Sequence, residues 1–267
     1  MGSHEEQVDR QFSAVANAYL TSVVHAQGQD LLRTAEIFRG RGHDRVLDVG
    51  CGAGHMTFAI APHVGAVTAF DLSRSMLDVV MESARVRGLS NITLHQGIAE
   101  DLPFANESFD WVCTRYSAHH WERLPRALDE MRRVLKPGGG LIVIDILGPD
   151  TPLIDTHMQA IELLRDASHV RDYTLSEWKT YLSSAGFHVS AHHRWKMRLE
   201  FESWVNRIRT PADRVSAIRA VLKQAPEQVR EYLMVEDDGS FQFDAGMIEA
   251  GLASEYQRRA PESTSTP

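Results

Sequence analysis

The chain has 267 residues and a formal net charge of −8, and 43% of its residues are hydrophobic against 24% charged. This composition suits one large domain, or one domain with a cap, and the acidic balance argues against a protein that grips a nucleic-acid backbone. No apolar run approaches the length of a membrane span, and no signal region begins the chain. Two cysteines are too few for a disulfide framework or for a zinc site built on thiolates. We therefore expect a cytoplasmic protein.

The first 40 residues are predicted to form two amphipathic helices. Apolar side chains recur at helical spacing from Val8 to Tyr19 and again from Val23 to Phe38. The spacing indicates helices that pack on a sheet.

A glycine-rich turn follows the first predicted strand, 45–49. Glycines occupy three alternate positions from Gly50 to Gly54, and an amphipathic segment comes next. Glycine permits positive φ and close approach of a ligand to the backbone. The second predicted strand, 66–70, ends in Asp71, where a carboxylate can accept hydrogen bonds from ribose hydroxyls. Together these features predict a ribonucleotide-type site; a glycine turn beside an ordinary surface aspartate is the alternative.

The rest of the chain alternates predicted strands and helices. Ser73 is the predicted N-cap of a helix that Gly88 ends. Further strands are predicted at 91–95, 111–114, 141–147, 187–195 and 241–250. Further helices are predicted at 124–135, with a glycine C-cap and turn at 136–140, then at 151–168, from 176 to 185, and within 201–235.

The glycine turn resembles motif I of class I S-adenosylmethionine (SAM) methyltransferases, because the strand acid Asp48 precedes G-C-G-A-G rather than the dinucleotide pattern G-x-G-x-x-G. The segment R-x-L-K-P-G-G from Arg133 to Gly139 is typical of the same family. The closest subgroup is the ubiquinone/menaquinone-biosynthesis-like small-molecule methyltransferases. The resemblance implies an α/β, Rossmann-like fold with a seven-stranded, mostly parallel sheet, an antiparallel last strand, helices on both faces and a helical cap.

The resemblance also implies a division of the chain. We expect an N-terminal helical lid over 1–40, a SAM-binding core over 41–200, a helical cap insertion over 201–235, the last strand of the core within 236–257, and a disordered tail over 258–267.

Members of this family hold SAM with the glycine backbone, with an acid after the second strand and with a Gly-Asp-Ala segment at the adenine edge. Here Ile98 replaces that Asp, which removes the expected side-chain contact to adenine. The backbone N–H of Ala99 can still make its contact. Glu100 either takes over the side-chain contact or is a solvated loop acid. The segment from Phe12 to Tyr19 also resembles the N-terminal helix that lies over SAM in this family, with the tyrosine facing the cofactor. The resulting cofactor-binding candidates are Tyr19, Asp48, Gly50, Cys51, Gly52, Gly54, Asp71, Leu72, Met76, Ala99, Glu100 and Arg115.

The methyl acceptor is expected where strand order reverses, outside the carboxyl ends of the strands. Strand 111–114 delivers Arg115, Tyr116, His119 and His120 to that place. Histidine can take a proton from an acceptor near neutral pH, and arginine can pair with a carboxylate. The alternatives are a histidine pair that only caps and packs, and a structural arginine salt bridge.

Catalytic candidates are therefore His119, His120 and Arg115. Acceptor-binding candidates are Tyr116, His119, His120 and Trp204, with Arg207, Arg209 and the lid residue His25 as further candidates. No compact set of acids and histidines is evident near the strand ends, so no metal is expected.

The predicted function is methyl transfer from SAM to the carbon, nitrogen or oxygen of a small molecule, either quinone-like or carboxylate-bearing. The transfer itself needs mainly alignment and proximity. The alternatives are an RNA or protein methyltransferase and a non-catalytic SAM-binding protein. The expected partner is the small-molecule acceptor, with no nucleic acid and no membrane span; the oligomeric state is open.

Overall fold

The computed structural model describes residues 3–13 and 28–252. Within these ranges the chain forms one seven-stranded sheet in the order β3-β2-β1-β4-β5-β7-β6. The strands are β1 Arg41–Val49, β2 Val64–Asp71, β3 Ile92–Gln96, β4 Phe109–Arg115, β5 Leu135–Leu147, β6 Phe187–Leu199 and β7 Phe241–Leu252. Strands β1 to β5 pair in parallel, and β7 runs antiparallel to both β5 and β6. The predicted fold class is thereby confirmed.

The described helices follow the strands in the predicted alternation. They are α1 His4–Ser13, α2 Gln29–Phe38, α3 His55–Ile60, α4 Arg74–Arg87, α5 Leu124–Val134, α6 Pro152–Arg165, α7 Leu175–Ser184, α8 Phe201–Arg207, α9 Ala212–Gln224 and α10 Glu227–Tyr232. Single 3₁₀ turns lie at Ala61–His63 and Ala118–His120. No helix of the described residues is long and apolar enough to cross a membrane.

Helices cover both faces of the sheet because successive side chains of a strand point to opposite sides. In β5, Leu141 and Val143 belong to a core shared with α5 and α7. Ile142 and Ile144 belong to a second core, shared with α2 and α3. A strand buried on both faces is an almost continuous apolar run, which is the pattern that β5 shows.

The second N-terminal helix belongs to the core rather than to a lid. Phe38 of α2 is fully buried, and its ring meets Trp111 of β4 edge-on at a centroid distance of 5.3 Å. Only α1, of the described part of 1–40, lies over a cavity, which it lines with Val8 and Phe12. The lid predicted over 1–40 is therefore wrong for α2. Tyr19, His25 and the tail 258–267 lie outside the described residues.

The predicted boundary between the fifth helix and the fifth strand is also corrected. Helix α5 passes into β5 at Leu135, whose backbone is extended, so the predicted glycine C-cap does not exist and 136–140 belong to the strand. The reason is pairing: Leu135 is already opposite Phe109 of β4. The caps of α4 are as predicted, since the Ser73 hydroxyl accepts a hydrogen bond from the Met76 N–H and Gly88 is left-handed.

The helical cap packs on the end of β6, on the start of β7 and on α6. Trp204 of α8 meets Phe241 of β7 edge-on at 4.9 Å, and both are buried with Ile161 of α6 and Ile218 of α9. This separate apolar cluster fixes the cap above the carboxyl ends of the parallel strands.

The turn glycines permit a stability test. Gly54 and Gly88 both have left-handed backbones, with φ of 85° and 68°. A Cβ at Gly54 would lie 2.9 Å from both Phe58 and Val80, whereas at Gly88 it would meet no described atom within 4 Å. Gly88→Ala should cost about 1 kcal/mol of unfolding free energy from backbone strain alone. Gly54→Ala should cost about 2–4 kcal/mol, because overpacking adds to the strain. Urea unfolding of both variants measures the difference, and equal costs would contradict the packing assignment.

Candidate functional site

The glycine turn is tied to β2 and opens toward a cavity. The backbone N–H groups of Gly50 and Cys51 both donate to the Phe70 carbonyl, at 2.8 and 3.1 Å. A Cβ at Gly50 would collide with the Ser117 side chain at 1.9 Å, while one at Gly52 would meet no described atom within 4 Å. Backbone at Gly52 is therefore accessible to a ligand.

Asp71 is held rigidly at the end of β2. Its Oδ2 accepts the Gly52 N–H and its Oδ1 accepts the Ser73 N–H, both at 2.8 Å. Burial raises the pKa of Asp71, and these two backbone bonds partly offset that rise. Each carboxylate oxygen can accept a second hydrogen bond, so the group has capacity for a ligand hydroxyl.

The main cavity lies beyond the carboxyl ends of β1, β2 and β4, under α1. All but one of the described cofactor candidates line it, namely Asp48, Gly50, Cys51, Gly52, Asp71, Leu72, Met76, Ala99, Glu100 and Arg115. The exception is Gly54, whose surroundings are Phe58 and Val80. Glu100 is buried and accepts the Arg123 N–H at 3.2 Å, so it is not a solvated loop acid.

Two unpartnered polar atoms of opposite character belong to residues that line this cavity. Asp48 is fully buried; its Oδ2 accepts the Thr57 hydroxyl at 2.6 Å, and within the described part of the chain its Oδ1 has no partner. Burial raises the pKa of Asp48 to about 6. Arg115 forms a buried ion pair with Asp30 through Nε, but its Nη2 has no partner among the described residues. The cavity thus combines an unsatisfied acceptor with an unsatisfied cationic donor, each costly to bury without a partner.

A second cavity adjoins the first and shares Phe12, Tyr116 and His120 with it. Its apolar lining residues are Ile146, Met197, Leu199, Trp204 and Phe243. Its polar lining residues, besides the shared ones, are His119, Glu162, Arg165, Asp166, Asp172 and Arg207. The predicted acceptor residues Tyr116, His119, His120 and Trp204 therefore meet at one place, whereas Arg209 is exposed and lines neither cavity.

His119 is paired with a carboxylate that the sequence analysis did not select. Its Nδ1 lies 2.6 Å from Oδ1 of Asp145, near the end of β5. Burial alone would lower the pKa of His119, but the charge and hydrogen bond of Asp145 raise it to about 9. At neutral pH the ring is therefore an imidazolium whose Nδ1–H donates to Asp145.

His120 is in the opposite state. Its Nδ1 lies 3.0 Å from the Ser168 carbonyl, which can only accept, so Nδ1 carries the hydrogen and Nε2 of the neutral ring is the acceptor. Burial, followed by the charge of His119, lowers the pKa of His120 to about 4. The two rings are 4.2 Å apart between centroids, yet one is charged and the other neutral at pH 7.

The structure also contradicts the expectation that no compact set of acids and histidines exists. Donor atoms of His119, Asp145 and Asp172 lie within 4.8 Å of one another. These residues come from three separate elements, so no sequence spacing predicts them. The one available signal is Asp145 itself, an acid within the apolar run of a central strand.

Comparison with known proteins is consistent with this geometry. Residues 47–143 match a family model described as "Methyltransferase domain". The chain is 48% identical to YafE of Escherichia coli over 77% of this chain and 99% of YafE. It is 37% identical to YcgJ of Bacillus subtilis, named as an uncharacterized methyltransferase, over 82% of this chain and 87% of YcgJ. The YcgJ crystal structure superposes with a TM-score of 0.79 over 84% of this chain and 98% of that chain. UbiE of Rhizobium meliloti, a ubiquinone/menaquinone biosynthesis C-methyltransferase, is 35% identical over 55% of this chain and 58% of its own length.

The charged state of His119 gives a titration test. Asp145→Asn should lower the pKa of His119 from about 9, because burial then acts without its main counter-charge. The wild-type pair stabilises the fold fully below about pH 6.5, and this contribution is lost as the pH rises through about 9, since the folded pKa lies above the unfolded one. Histidine NMR titration measures both proteins, with the exposed Asp150→Asn as control. A wild-type His119 that titrates near 6.5 would contradict the ion pair.

Proposed function

The chain belongs to the SAM-dependent methyltransferase family, and we propose that it transfers the methyl group to a small-molecule acceptor held in the second cavity. SAM is its cofactor, and when bound it supplies a methyl group on a positively charged sulfur. The observation that carries the proposal is the junction of the two cavities at Phe12, Tyr116 and His120, because donor and acceptor must meet end to end for transfer.

The unpartnered atoms of the main cavity suit the amino-acid end of SAM. That end carries an ammonium and a carboxylate. The free Oδ1 of Asp48 would accept from the ammonium, and the free Nη2 of Arg115 would donate to the carboxylate. Both buried groups would then be satisfied in one step. We therefore assign Arg115 to the cofactor, because Asp30 already holds its other side.

The remaining cavity residues suit the adenosine end. Asp71 would accept from the ribose hydroxyls while it keeps its bonds to Gly52 and Ser73. The apolar side chains of Leu72 and Met76 line the same side of the cavity and would contact adenine, with the backbone of Ala99 at the adenine edge. Cys51 contributes backbone and a small buried side chain to the turn; burial raises the pKa of its thiol, so we assign it no chemistry.

His120 is the better candidate for a base, and His119 for a binding group. The neutral His120 lines both cavities, and its Nε2 is the unprotonated nitrogen. It would accept the proton that the acceptor loses. The imidazolium of His119 lines only the second cavity and would donate to an oxygen of the acceptor. Tyr116, with φ of 50°, is held in a strained conformation between the two sites.

The walls of the second cavity favour a small acceptor with an apolar body. Trp204, Phe243 and Leu199 offer a surface for a ring, and this fits the ring substrates implied by the name of the relative UbiE. A carboxylate-bearing acceptor finds less support, since Asp30 pairs with Nε of Arg115 and the unpartnered Nη2 is assigned to the carboxylate of SAM. A covering cap also suits a small molecule better than an RNA or protein chain.

Removal of the Asp71 carboxylate tests the cofactor site. Asp71→Ala should weaken binding of S-adenosylhomocysteine by about 1.5–3 kcal/mol, the range for losing hydrogen bonds to a charged group. Calorimetric titration measures the change. The matched control is Asp78→Ala, which removes an exposed acid of α4. Binding that is equally strong in the Asp71 variant would refute the ribose contact, and absence of binding in the wild type would refute the proposed function.

The histidine roles predict a bell-shaped pH profile. With an acceptor found by mass gain of one methyl group, kcat/KM should rise through about pH 4 as His120 becomes neutral and fall through about pH 9 as His119 loses its charge. His120→Gln should lower the rate by about 10²–10⁴-fold and remove the acid limb. A variant that retains the acid limb would exclude His120 as the base.

A further inference from the structure

We propose that Asp172 binds the methyl acceptor, through an uncharged hydroxyl group that the acceptor carries on an apolar body. This inference rests on the proposed function and assigns to the acceptor site a residue that motif and spacing did not select. It also restricts the acceptor, because a molecule without a hydrogen-bond donor at this point would leave Asp172 unsatisfied.

The Asp172 side chain lines the second cavity but has no hydrogen-bond partner among the described residues. It is 1% exposed. Its Oδ1 is 4.0 Å from Nδ1 of His119 and its Oδ2 is 3.9 Å from Nε2 of His169, both beyond hydrogen-bonding distance. Oδ2 is unpartnered. A carboxyl buried in this way loses its hydration with no compensating bond, so a partner from the cavity is expected.

The neighbouring groups are already engaged elsewhere. Nδ1 of His119 is hydrogen-bonded to Asp145, and Nε2 of His169 lies 2.8 Å from Oε1 of Gln159. Gln159 also fixes the backbone of Asp172, because its Oε1 accepts the Asp172 N–H at 3.1 Å and its amide donates to the Asp172 carbonyl at 2.9 Å. These bonds fix the backbone of the loop, while the carboxyl lines the cavity beyond hydrogen-bonding distance of both histidines.

The charges around the cavity favour a neutral group. The cation of His119 is paired with Asp145, Glu162 lies 3.7 Å from Arg165, and Asp166 and Arg207 line the same cavity with opposite formal charges. Burial raises the pKa of Asp172 well above its usual value, which favours the uncharged carboxyl over the carboxylate. A protonated carboxyl both donates and accepts, and a hydroxyl is its complement.

A metal ion is a poorer occupant of the same place. Asp172 does lie near His119 and Asp145, and such donors can hold a divalent cation. The Nδ1 of His119, however, points at Asp145 from 2.6 Å and carries a proton in that ion pair. A protonated nitrogen has no lone pair to offer a metal.

Ligand-free stability provides the first test. If Asp172 awaits a ligand, Asp172→Asn and Asp172→Leu should unfold at the same temperature as the wild type or higher, because they remove an unsatisfied buried acid. Asp145→Asn is the matched control and should unfold at a lower temperature, because Asp145 is already bonded to His119 and to the Ile146 N–H. A loss in Asp172→Asn as large as in Asp145→Asn would overturn the proposal and make Asp172 structural.

Binding of a matched pair of probes provides the second test. Protein saturated with S-adenosylhomocysteine is titrated with 1-naphthol and with 1-fluoronaphthalene, which has nearly the same shape and no hydroxyl donor. The wild type should prefer 1-naphthol by about tenfold or more, and in Asp172→Leu the ratio should fall to about one. Equal affinity of the wild type for both probes, or no binding of either, would overturn the proposal.

Two controls separate the possible failures. Binding of S-adenosylhomocysteine is measured in the same samples, so failure of the cofactor site is distinguished from failure of the Asp172 assignment. Mg²⁺ and Zn²⁺ are added to the ligand-free protein in thermal unfolding. A rise in unfolding temperature of the wild type that Asp172→Asn abolishes would assign this place to a cation and overturn the proposed hydroxyl contact.

Discussion

The parallel pairing of β1 with β4 is the constraint on which both cavities depend. Val49 is opposite Thr114 in the register, so the glycine turn after β1 and Arg115–Tyr116 after β4 leave the sheet side by side. Strand order reverses at this point, because β2 lies beyond β1 on one side and β5 beyond β4 on the other. The loops after the two strands therefore diverge and open a crevice between them. A shift in that register would separate the cofactor turn from the acceptor residues.

Burial then determines the chemical state of the groups around the crevice. The adjacent His119 is charged and His120 is neutral, because the first has a carboxylate partner and the second has a backbone carbonyl. Burial, with the charge of His119 as the second cause, lowers the pKa of His120. The unpaired atoms of Asp48, Arg115 and Asp172 follow the same principle, since each is buried at a cavity and satisfied by nothing around it in the described chain. Such groups cost stability and are retained where a ligand completes them.

The loop between α6 and α7 connects these effects. The N–H of Val170 donates to the His119 carbonyl, the carbonyl of Ser168 fixes the tautomer of His120, and Asp172 follows four residues later. This loop thus holds the backbone of His119 and the side chain of His120. The hydrogen bonds from Gln159 of α6 anchor this loop, so the helix above the strand ends participates in positioning the site.

The sequence by itself determined the strands, the helices and the residues of the glycine turn, because strand, helix and turn preferences are local and repeat at short periods. The family resemblance implied how these elements assemble into the sheet. The sequence also predicted that Asp71, His119 and His120 lie at the carboxyl edge of the sheet, since parallel strands share that edge. It could not determine that α2 packs in the core, that Gly54 serves packing, or that Asp145 and Asp172 flank His119. Those facts depend on contacts between residues far apart in the chain, and the protonation of each group depends on how deeply the tertiary structure buries it. Only the folded chain decided which histidine is charged.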